Sequence, residues 1–166
     1  MKLIKRELYL QALFNVEQTI DIKVITGIRR SGKSKLLNAF KEELCKRANV
    51  NVIHINFGSD KFKNIKNGDD LLNYVKSKFE KEYINYLLID EVQMCDGFEK
   101  TLNYLHDSEK YRIYVTGSNA FLQSSDLTTL FSGRVFPISI FPFSFQEFSI
   151  YYKDRETRDM FHDYIF

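Results

Sequence analysis

The sequence predicts an α/β domain in which helices cover both faces of a parallel sheet. Short β-branched runs alternate with amphipathic segments along the whole chain, which is the pattern of strand–helix–strand units. Residues 86–89 are four consecutive apolar residues, as is typical of a buried parallel strand. The 166 residues are 44% hydrophobic and 28% charged, with only 7 Gly and 2 Pro, so the chain can form a core and is not a low-complexity or disordered sequence.

Apolar residues at mostly helical spacing predict an amphipathic opening helix at residues 4–17. Runs rich in β-branched or apolar residues predict strands at 22–26, 50–57, 86–89, 112–116 and 135–140. Apolar stripes predict helices between the strands at 33–47, 69–79 and 98–105. The last, charged segment, 151–166, is expected to be helical, and no linker or internal repeat divides the chain.

Charge is distributed unevenly. The net charge of +2 argues against a protein that coats nucleic acid, but residues 1–50 carry 11 Lys and Arg against 5 Asp and Glu, which suits a polyanionic ligand. Two cysteines are too few for a disulfide framework. No apolar run reaches the ~18 residues of a membrane helix, and the N-terminus does not resemble a secretory signal. A cytoplasmic protein without a membrane partner is therefore predicted.

The strongest motif is Gly-Ile-Arg-Arg-Ser-Gly-Lys-Ser at residues 27–34, which completes the pattern G-x-x-x-x-G-K-[ST] between a predicted strand and a predicted helix. Its glycines let backbone N–H groups and the helix N-terminus face phosphate oxygens. Lys33 is expected to reach the β- and γ-phosphates, and Ser34 to offer its hydroxyl to Mg²⁺. Arg29 and Arg30 either contact the nucleotide or are solvated and raise the local potential. The predicted nucleotide-binding residues are Gly27, Ile28, Arg29, Arg30, Ser31, Gly32, Lys33, Ser34 and Lys35.

Two acids follow the apolar strand at 86–89. Open α/β sheets bind ligands at the carboxyl ends of their strands, so these acids are expected to lie at the phosphate site. Asp90 is predicted to hold Mg²⁺ together with Ser34, through a water molecule. Glu91 is predicted to polarise a water molecule against the γ-phosphate. The alternative is a strand that ends in an ordinary polar turn.

Small polar residues also follow the strand at 112–116. In phosphate-loop ATPases with an acid pair of this kind, the strand between the two motif strands ends in a polar residue that faces the γ-phosphate. Thr116, Ser118 and Asn119 are the candidates for that sensing role. The alternative is turn chemistry alone, which also favours Gly-Ser-Asn.

Four stretches occur in order: VITGIRRSGKS, YLLIDEVQ, YVTGSNA and LFSGRVFPISIFPFSFQEF. They resemble the prokaryotic AAA-type ATPases of the AAA_14 family, ATP-binding proteins associated with DUF4143. The resemblance extends from Arg6 to about Phe148 and includes Gln93 after the acid pair. It implies an AAA-like P-loop NTPase core of the ASCE type with three layers, a five-stranded parallel sheet of order 5-1-4-3-2, and binding and hydrolysis of ATP with Mg²⁺.

The resemblance also implies a role for Arg134, which ends the Ser-Gly-Arg segment before the fifth predicted strand. An arginine there could supply charge to a γ-phosphate in the same subunit or in a neighbour. The alternative is a structural arginine that anchors the loop to a carboxylate. Residues 142–148 are predicted to serve packing and capping, because Ser144 and Glu147 have capping-box spacing.

Family members continue well beyond the length of this chain, with a winged-helix-like region and a further C-terminal domain. We therefore expect an ATPase core at residues 1–150 and the start of a truncated C-terminal region at 151–166, in a fragment, a truncated gene product or a minimal version of the family. The end of the second strand also differs from relatives, which more often carry acids directly after the residue that corresponds to Phe57. Here Gly58 and Ser59 follow instead, and Asp60 is the acid that could substitute.

The motifs together predict an ATP-binding protein and Mg²⁺-dependent ATPase that couples hydrolysis to movement of an attached domain or partner. The alternative is an ATP-gated switch for recruitment, defence or signalling that hydrolyses slowly or not at all. A small-molecule kinase is less favoured because no lid is predicted, and GTP because no Asn-Lys-x-Asp follows the acid pair. A homo-oligomer or a protein partner is expected. Nucleic acid stays open but unsupported, since the aromatic residues at 131–148 lack interleaved basic residues beyond Arg134.

Overall fold

The computed structural model describes residues 6–117, 131 and 133–151. These residues form alternating helices and strands, in the order α1 Glu7–Asn15, β1 Ile22–Thr26, α2 Lys33–Leu44, β2 Val50–Asn56, α3 Gly68–Ser77, β3 Ile84–Asp90, α4 Phe98–Asp107, β4 Tyr111–Thr116, β5 Val135–Ser139 and α5 Phe145–Tyr151. Two short 3₁₀ helices, Asp60–Phe62 and Val92–Met94, follow β2 and β3. The five predicted strands are thus all present.

The strands form one parallel sheet in the order β2-β3-β4-β1-β5. This is the predicted order 5-1-4-3-2 counted from the other edge, so the predicted fold class is confirmed. The register pairs Ile25 of β1 with Thr116 of β4, and Ile89 of β3 with Val115 of β4. Neighbouring strands β1, β4 and β3 therefore end together at one edge of the sheet, where the phosphate-loop motif and the acid pair meet.

Helices cover both faces of the sheet, because alternate strand residues point to opposite sides. One buried cluster joins α1 and α2 to one face, and its large members include Leu13, Leu37, Phe40, Tyr86 and Tyr114. A second cluster joins α3 and α4 to the opposite face, through residues that include Leu71, Val75, Leu87, Ile89 and Leu102. Since β3 contributes to both clusters, its apolar run is explained by burial on both sides.

The ends of several elements depend on local capping. Helix α3 begins at Gly68, one residue earlier than predicted, because the Asn67 side chain accepts hydrogen bonds of 3.0 Å from the backbone of Asp69 and Asp70. Helix α2 ends at Leu44 instead of residue 47. Strand β3 starts two residues before its apolar run, at the exposed Ile84.

The predicted capping box at the start of α5 is confirmed. The Glu147 backbone N–H donates to Ser144 Oγ at 3.2 Å, and Glu147 Oε2 accepts a hydrogen bond of 2.9 Å from the Ser144 backbone. The predicted continuation of helix beyond residue 151 lies outside the described residues. Within the described ranges, no helix combines the length and the apolar character that crossing a bilayer requires.

We expect Leu37→Ala to lower the free energy of unfolding by about 2–5 kcal/mol, because Leu37 is fully buried between α2 and the sheet. The matched control is Leu8→Ala, since the Leu8 side chain on α1 is 81% exposed and its loss should change stability by less than about 0.5 kcal/mol. Urea unfolding of both variants measures the difference. Equal losses would contradict this description of the core.

Candidate nucleotide site

The glycine-rich loop connects β1 to α2 and curls tightly. Gly27 has φ +152°, and a Cβ there would lie 2.4 Å from the carbonyl oxygen of Ile140. Gly32 has φ +94° and immediately precedes the first residue of α2. Any other residue at Gly27 would clash with backbone, and at Gly32 it would be strained. Both glycines are therefore required by the shape of the loop.

The side chains of Lys33 and Ser31 face the inside of this loop. Lys33 is buried, and its Nζ donates to the carbonyl oxygens of Gly27 at 2.8 Å and Ile28 at 3.1 Å. The Ser31 hydroxyl is also buried, and it has no hydrogen-bond partner among the described residues. A buried ammonium and an unsatisfied hydroxyl at a helix N-terminus are suited to hold a phosphate group, so the residues present fit the predicted ligand.

The other loop positions are more open. Ile28, Arg29, Arg30 and Lys35 are all exposed to solvent. Exposure of both arginines is compatible with the solvated alternative, in which they raise the local positive potential. Their contact with a nucleotide stays a prediction.

The carboxylate of Asp90 joins the loop helix to two strands. Asp90 ends β3 and is only 2% exposed, and its Oδ1 accepts hydrogen bonds from the Ser34 hydroxyl at 3.0 Å and from the Thr116 hydroxyl. The predicted pairing of Ser34 with Asp90, 56 positions apart, is thus present in the geometry.

These oxygens fit the chemistry of Mg²⁺, a hard cation that binds carboxylate and hydroxyl oxygens. Across the ranges that the structure describes, no three His, Cys, Asp or Glu side chains cluster as a metal site of their own. A magnesium ion held by Ser34 and Asp90 would therefore take its remaining ligands from water and phosphate, as this ion usually does.

Thr116 is the last residue of β4, and its side chain is fully buried beside the end of β3. Its hydroxyl donates to Asp90 and also accepts a hydrogen bond of 3.2 Å from the Glu91 backbone N–H. One hydroxyl thus serves as donor and acceptor and fixes both acids. Sequence reasoning named Thr116 for γ-phosphate sensing, which stays a prediction, and did not foresee this positioning contact. The other two candidates, Ser118 and Asn119, lie outside the described residues.

Glu91 leaves the strand in a left-handed conformation, with φ +57°. Its Oε2 accepts a hydrogen bond of 2.6 Å from the Gln93 side-chain amide. A left-handed conformation is uncommon for a residue with a Cβ, and such conformations concentrate at functional sites. The sequence drew attention to Gln93 only through its place in the family pattern and not through this contact.

Arg134 lies at the amino ends of the strands, because it directly precedes β5, whereas the glycine-rich loop lies at their carboxyl ends, after β1. Its carbonyl oxygen accepts a hydrogen bond of 2.8 Å from Ile22 at the start of β1, and its Nη1 lies 3.4 Å from Asp107 Oδ1. Since β1 and β5 are parallel, their amino ends are far from the loop that follows β1. The structure therefore does not bring Arg134 to the loop of its own chain, and it supplies the carboxylate of the anchoring alternative. Contact with a neighbour's phosphate stays a prediction.

A parallel sheet of this strand order, a glycine-rich loop between β1 and α2, and a buried carboxylate from β3 define the core of a P-loop ATPase of the AAA type. The family model AAA_14, described as an AAA domain, matches residues 19–149. The chain belongs to the AAA_14 family.

Similar proteins support this assignment. An uncharacterized protein of Haemophilus influenzae is 43% identical over 150 residues, covering 88% of this chain and 37% of the relative. The uncharacterized protein MJ1544 of Methanocaldococcus jannaschii is 32% identical over 147 residues, covering 89% of this chain and 31% of the relative. The chain thus spans about a third of the length of these relatives. The predicted association with DUF4143 and the boundary at residue 150 stay predictions.

A solved structure shows the same fold. Cdc6p from Pyrobaculum aerophilum superimposes with a TM-score of 0.61 and 14% sequence identity, covering 92% of this chain and 49% of that chain. At this identity the likeness concerns the fold alone.

We expect Thr116→Val to lower the free energy of unfolding by about 1–3 kcal/mol, because valine has a similar shape but leaves the Glu91 N–H without its hydroxyl partner and the buried Asp90 with the Ser34 hydroxyl alone. Thr116→Ser is the control, since it keeps the hydroxyl and removes only a methyl group. Chemical denaturation compares the two variants. A smaller loss for valine than for serine would show that the hydroxyl does not fix the two acids.

Proposed function

We propose that the protein binds ATP with Mg²⁺ at the glycine-rich loop and hydrolyses it, coupling hydrolysis to movement of an attached domain or partner. The observation that carries the proposal is the hydrogen bond between Ser34 and Asp90. It brings together the two motifs from which a phosphate-bound magnesium ion would be held, although 56 positions separate them. Membership of the AAA_14 family supports the same activity.

The residues of the site divide the work by their chemistry. Lys33 would stabilise negative charge on the β- and γ-phosphates, as a compact cation at the start of α2. Ser34 and Asp90 would hold Mg²⁺, which neutralises phosphate charge when it is bound. Glu91 would accept a proton from the attacking water at its carboxylate, while Thr116 keeps the backbone of the acid pair in place.

The second candidate is the switch that hydrolyses slowly or not at all. The contact that favours it is the hydrogen bond of 2.6 Å from Gln93 to the Glu91 carboxylate. The Gln93 amide occupies this oxygen, so an attacking water molecule would have to displace it before it could use the same oxygen. In that case the nucleotide would act as a ligand that sets the conformation of the protein.

Two substitutions separate binding from hydrolysis. Lys33→Ala should weaken ATP binding by about 10- to 100-fold, because one charged partner of the phosphates is lost. Glu91→Gln should keep the affinity for ATP but lower kcat by about 10²- to 10⁴-fold, because the proton acceptor is lost. Calorimetry measures the affinity, and phosphate release at saturating ATP and Mg²⁺ measures kcat.

Lys46→Ala is the matched control, since Lys46 follows the far end of α2 and pairs with Glu43 on the surface. It should change neither quantity. Equal ATP affinity in the wild type and in Lys33→Ala would contradict binding at this loop. If the wild type and Glu91→Gln bind ATP equally and neither releases phosphate above background, the switch replaces the ATPase.

A cavity of about 880 Å³ lies beside the loop and supports a place for the adenine base. Ala12 of α1 and Phe141, after β5, form part of its walls. Ser139, which also lines the cavity, contacts the hydroxyl of Thr26 at 3.1 Å, directly before Gly27. A base in this cavity would thus lie next to phosphates in the loop.

We expect Ala12→Phe to weaken ATP binding by about tenfold, because the larger side chain fills part of the cavity. Binding of inorganic triphosphate should not change, since the loop itself is untouched. Asn73→Phe, at an exposed position on α3, is the control for adding an aromatic ring. Unchanged ATP affinity in Ala12→Phe, measured by calorimetry, would place the base elsewhere.

The remaining proposals concern partners. A homo-oligomer would give Arg134 access to a neighbour's phosphate, because its side chain is partly exposed at the edge away from its own loop. A protein partner and a cytoplasmic location stay proposals from the sequence.

A further inference from the structure

The Arg6 side chain is buried where three parts of the chain meet. It is 5% exposed, and its guanidinium uses all five of its N–H donors. Nε and Nη2 donate to the two oxygens of Glu147 at 2.7 and 3.0 Å. Nη1 donates to the carbonyl oxygens of Ser31 at 3.0 Å and Phe141 at 2.7 Å, and Nη2 reaches that of Pro142 at 3.4 Å.

Aromatic rings complete the surroundings of the guanidinium. Its centre lies 4.3 Å from the centroid of the Tyr9 ring and 5.0 Å from that of Phe143. Rings at these distances attract a cation. Arginine suits this position because its planar fork can bind a carboxylate with two parallel bonds and contact aromatic rings at the same time, which lysine cannot do.

One end of this contact network is the glycine-rich loop. Ser31 directly precedes Gly32 and Lys33, and its own N–H donates to the Ile28 carbonyl at 3.1 Å. The bond from Arg6 to the Ser31 carbonyl therefore holds the tightest part of the loop. A shift of the Ser31 carbonyl would leave one donor of a buried cation without a partner, which is unfavourable.

The other end is the start of α5. The Glu147 carboxylate that binds Arg6 also accepts the Ser144 N–H of the capping box. Partial burial raises the pKa of Glu147, but the hydrogen bonds from Arg6 and Ser144 outweigh burial and hold the pKa below its usual value. The carboxylate is thus charged at neutral pH, and one group both begins the helix and neutralises Arg6.

We propose that Arg6 is a positioning residue that couples the conformation of the glycine-rich loop to the packing of α5. Because one rigid guanidinium binds both, a ligand that changes the loop must change the stability of α5, and α5 must affect the loop to the same extent. The ligand in this proposal is the ATP of the proposed function, whereas the link between loop and helix exists without it.

Hydrogen exchange tests the link first in the absence of nucleotide. Glu147→Gln should accelerate exchange of the loop amides at residues 28–34 by about tenfold relative to amides of β3, because Arg6 loses its charged partner. Glu43→Gln is the matched control, since Glu43 pairs with Lys46 at 2.9 Å near the other end of α2, and it should leave the loop amides unchanged relative to β3.

Ser144→Ala separates coupling from simple loss of the helix cap. It removes the hydroxyl that caps α5 but keeps both bonds between Arg6 and Glu147, so exchange should rise in α5 and, through the coupling, rise in the loop by a smaller factor than in Glu147→Gln. Loop exchange that is the same in Glu147→Gln and in the wild type would overturn the proposal. Equal acceleration of the loop by Ser144→Ala and Glu147→Gln would overturn it too.

The second measurement adds ATP and Mg²⁺. In the wild type, exchange should slow in both the loop and α5, whereas in Arg6→Lys it should slow in the loop alone at saturating ATP. An equal response of α5 in Arg6→Lys and the wild type would overturn the proposal. If ATP slows exchange nowhere but Glu147→Gln still accelerates the loop, the proposed function fails and the coupling is supported.

Discussion

The site depends on the hydrogen bonds that the buried carboxylate of Asp90 accepts. A carboxylate that is removed from water is strongly unfavourable unless hydrogen bonds replace its hydration, and here two hydroxyls do so, from Ser34 of α2 and Thr116 of β4. Both donors reach the same oxygen because β4 lies between β1 and β3. The site therefore depends on the strand order, because another order would not bring both hydroxyls to Asp90.

The two edges of the sheet differ in chemistry for the same reason. At the carboxyl edge, the strands end in small polar or acidic groups that bind one another around Asp90. At the amino ends of the strands, charged side chains bind one another instead, such as Arg134 with Asp107 and both Arg47 and Arg112 with Glu17. In a parallel sheet all amino ends lie on one side and all carboxyl ends on the other, so the side chains of one side do not reach those of the other within one chain. A residue at the amino ends can act on a phosphate only from another molecule.

The sequence was sufficient for the features that depend on local pattern. The strands followed from β-branched runs, the loop from Gly27, Gly32 and Lys33, and the start of α5 from the spacing of Ser144 and Glu147. The strand order came from resemblance to a family, because short strands alone do not specify their neighbours.

Contacts between distant residues that no motif links could not be predicted. Arg6 and Glu147 are 141 positions apart, and no periodicity connects them. The left-handed conformation of Glu91 is required by the turn after β3, where Thr116 binds its N–H, and the sequence Asp-Glu carries no sign of it. Arg134 matches a family motif, but the motif alone does not say where the side chain lies. Its position beside Asp107, at the amino ends of the strands, determines which phosphate it can reach.

The internal bonds of the site also bear on how tightly a ligand can bind. Lys33 already donates to the carbonyl oxygens of Gly27 and Ile28, and Ser34 already donates to Asp90. A triphosphate that uses Lys33 and a metal that uses Ser34 would each replace such bonds, so the net affinity must be smaller than the sum of the new contacts. The same bonds keep the side chains close to their working positions before a ligand arrives. If a ligand rearranges the bonds of Lys33 within the loop, the Ser31 carbonyl would transmit that change to Arg6.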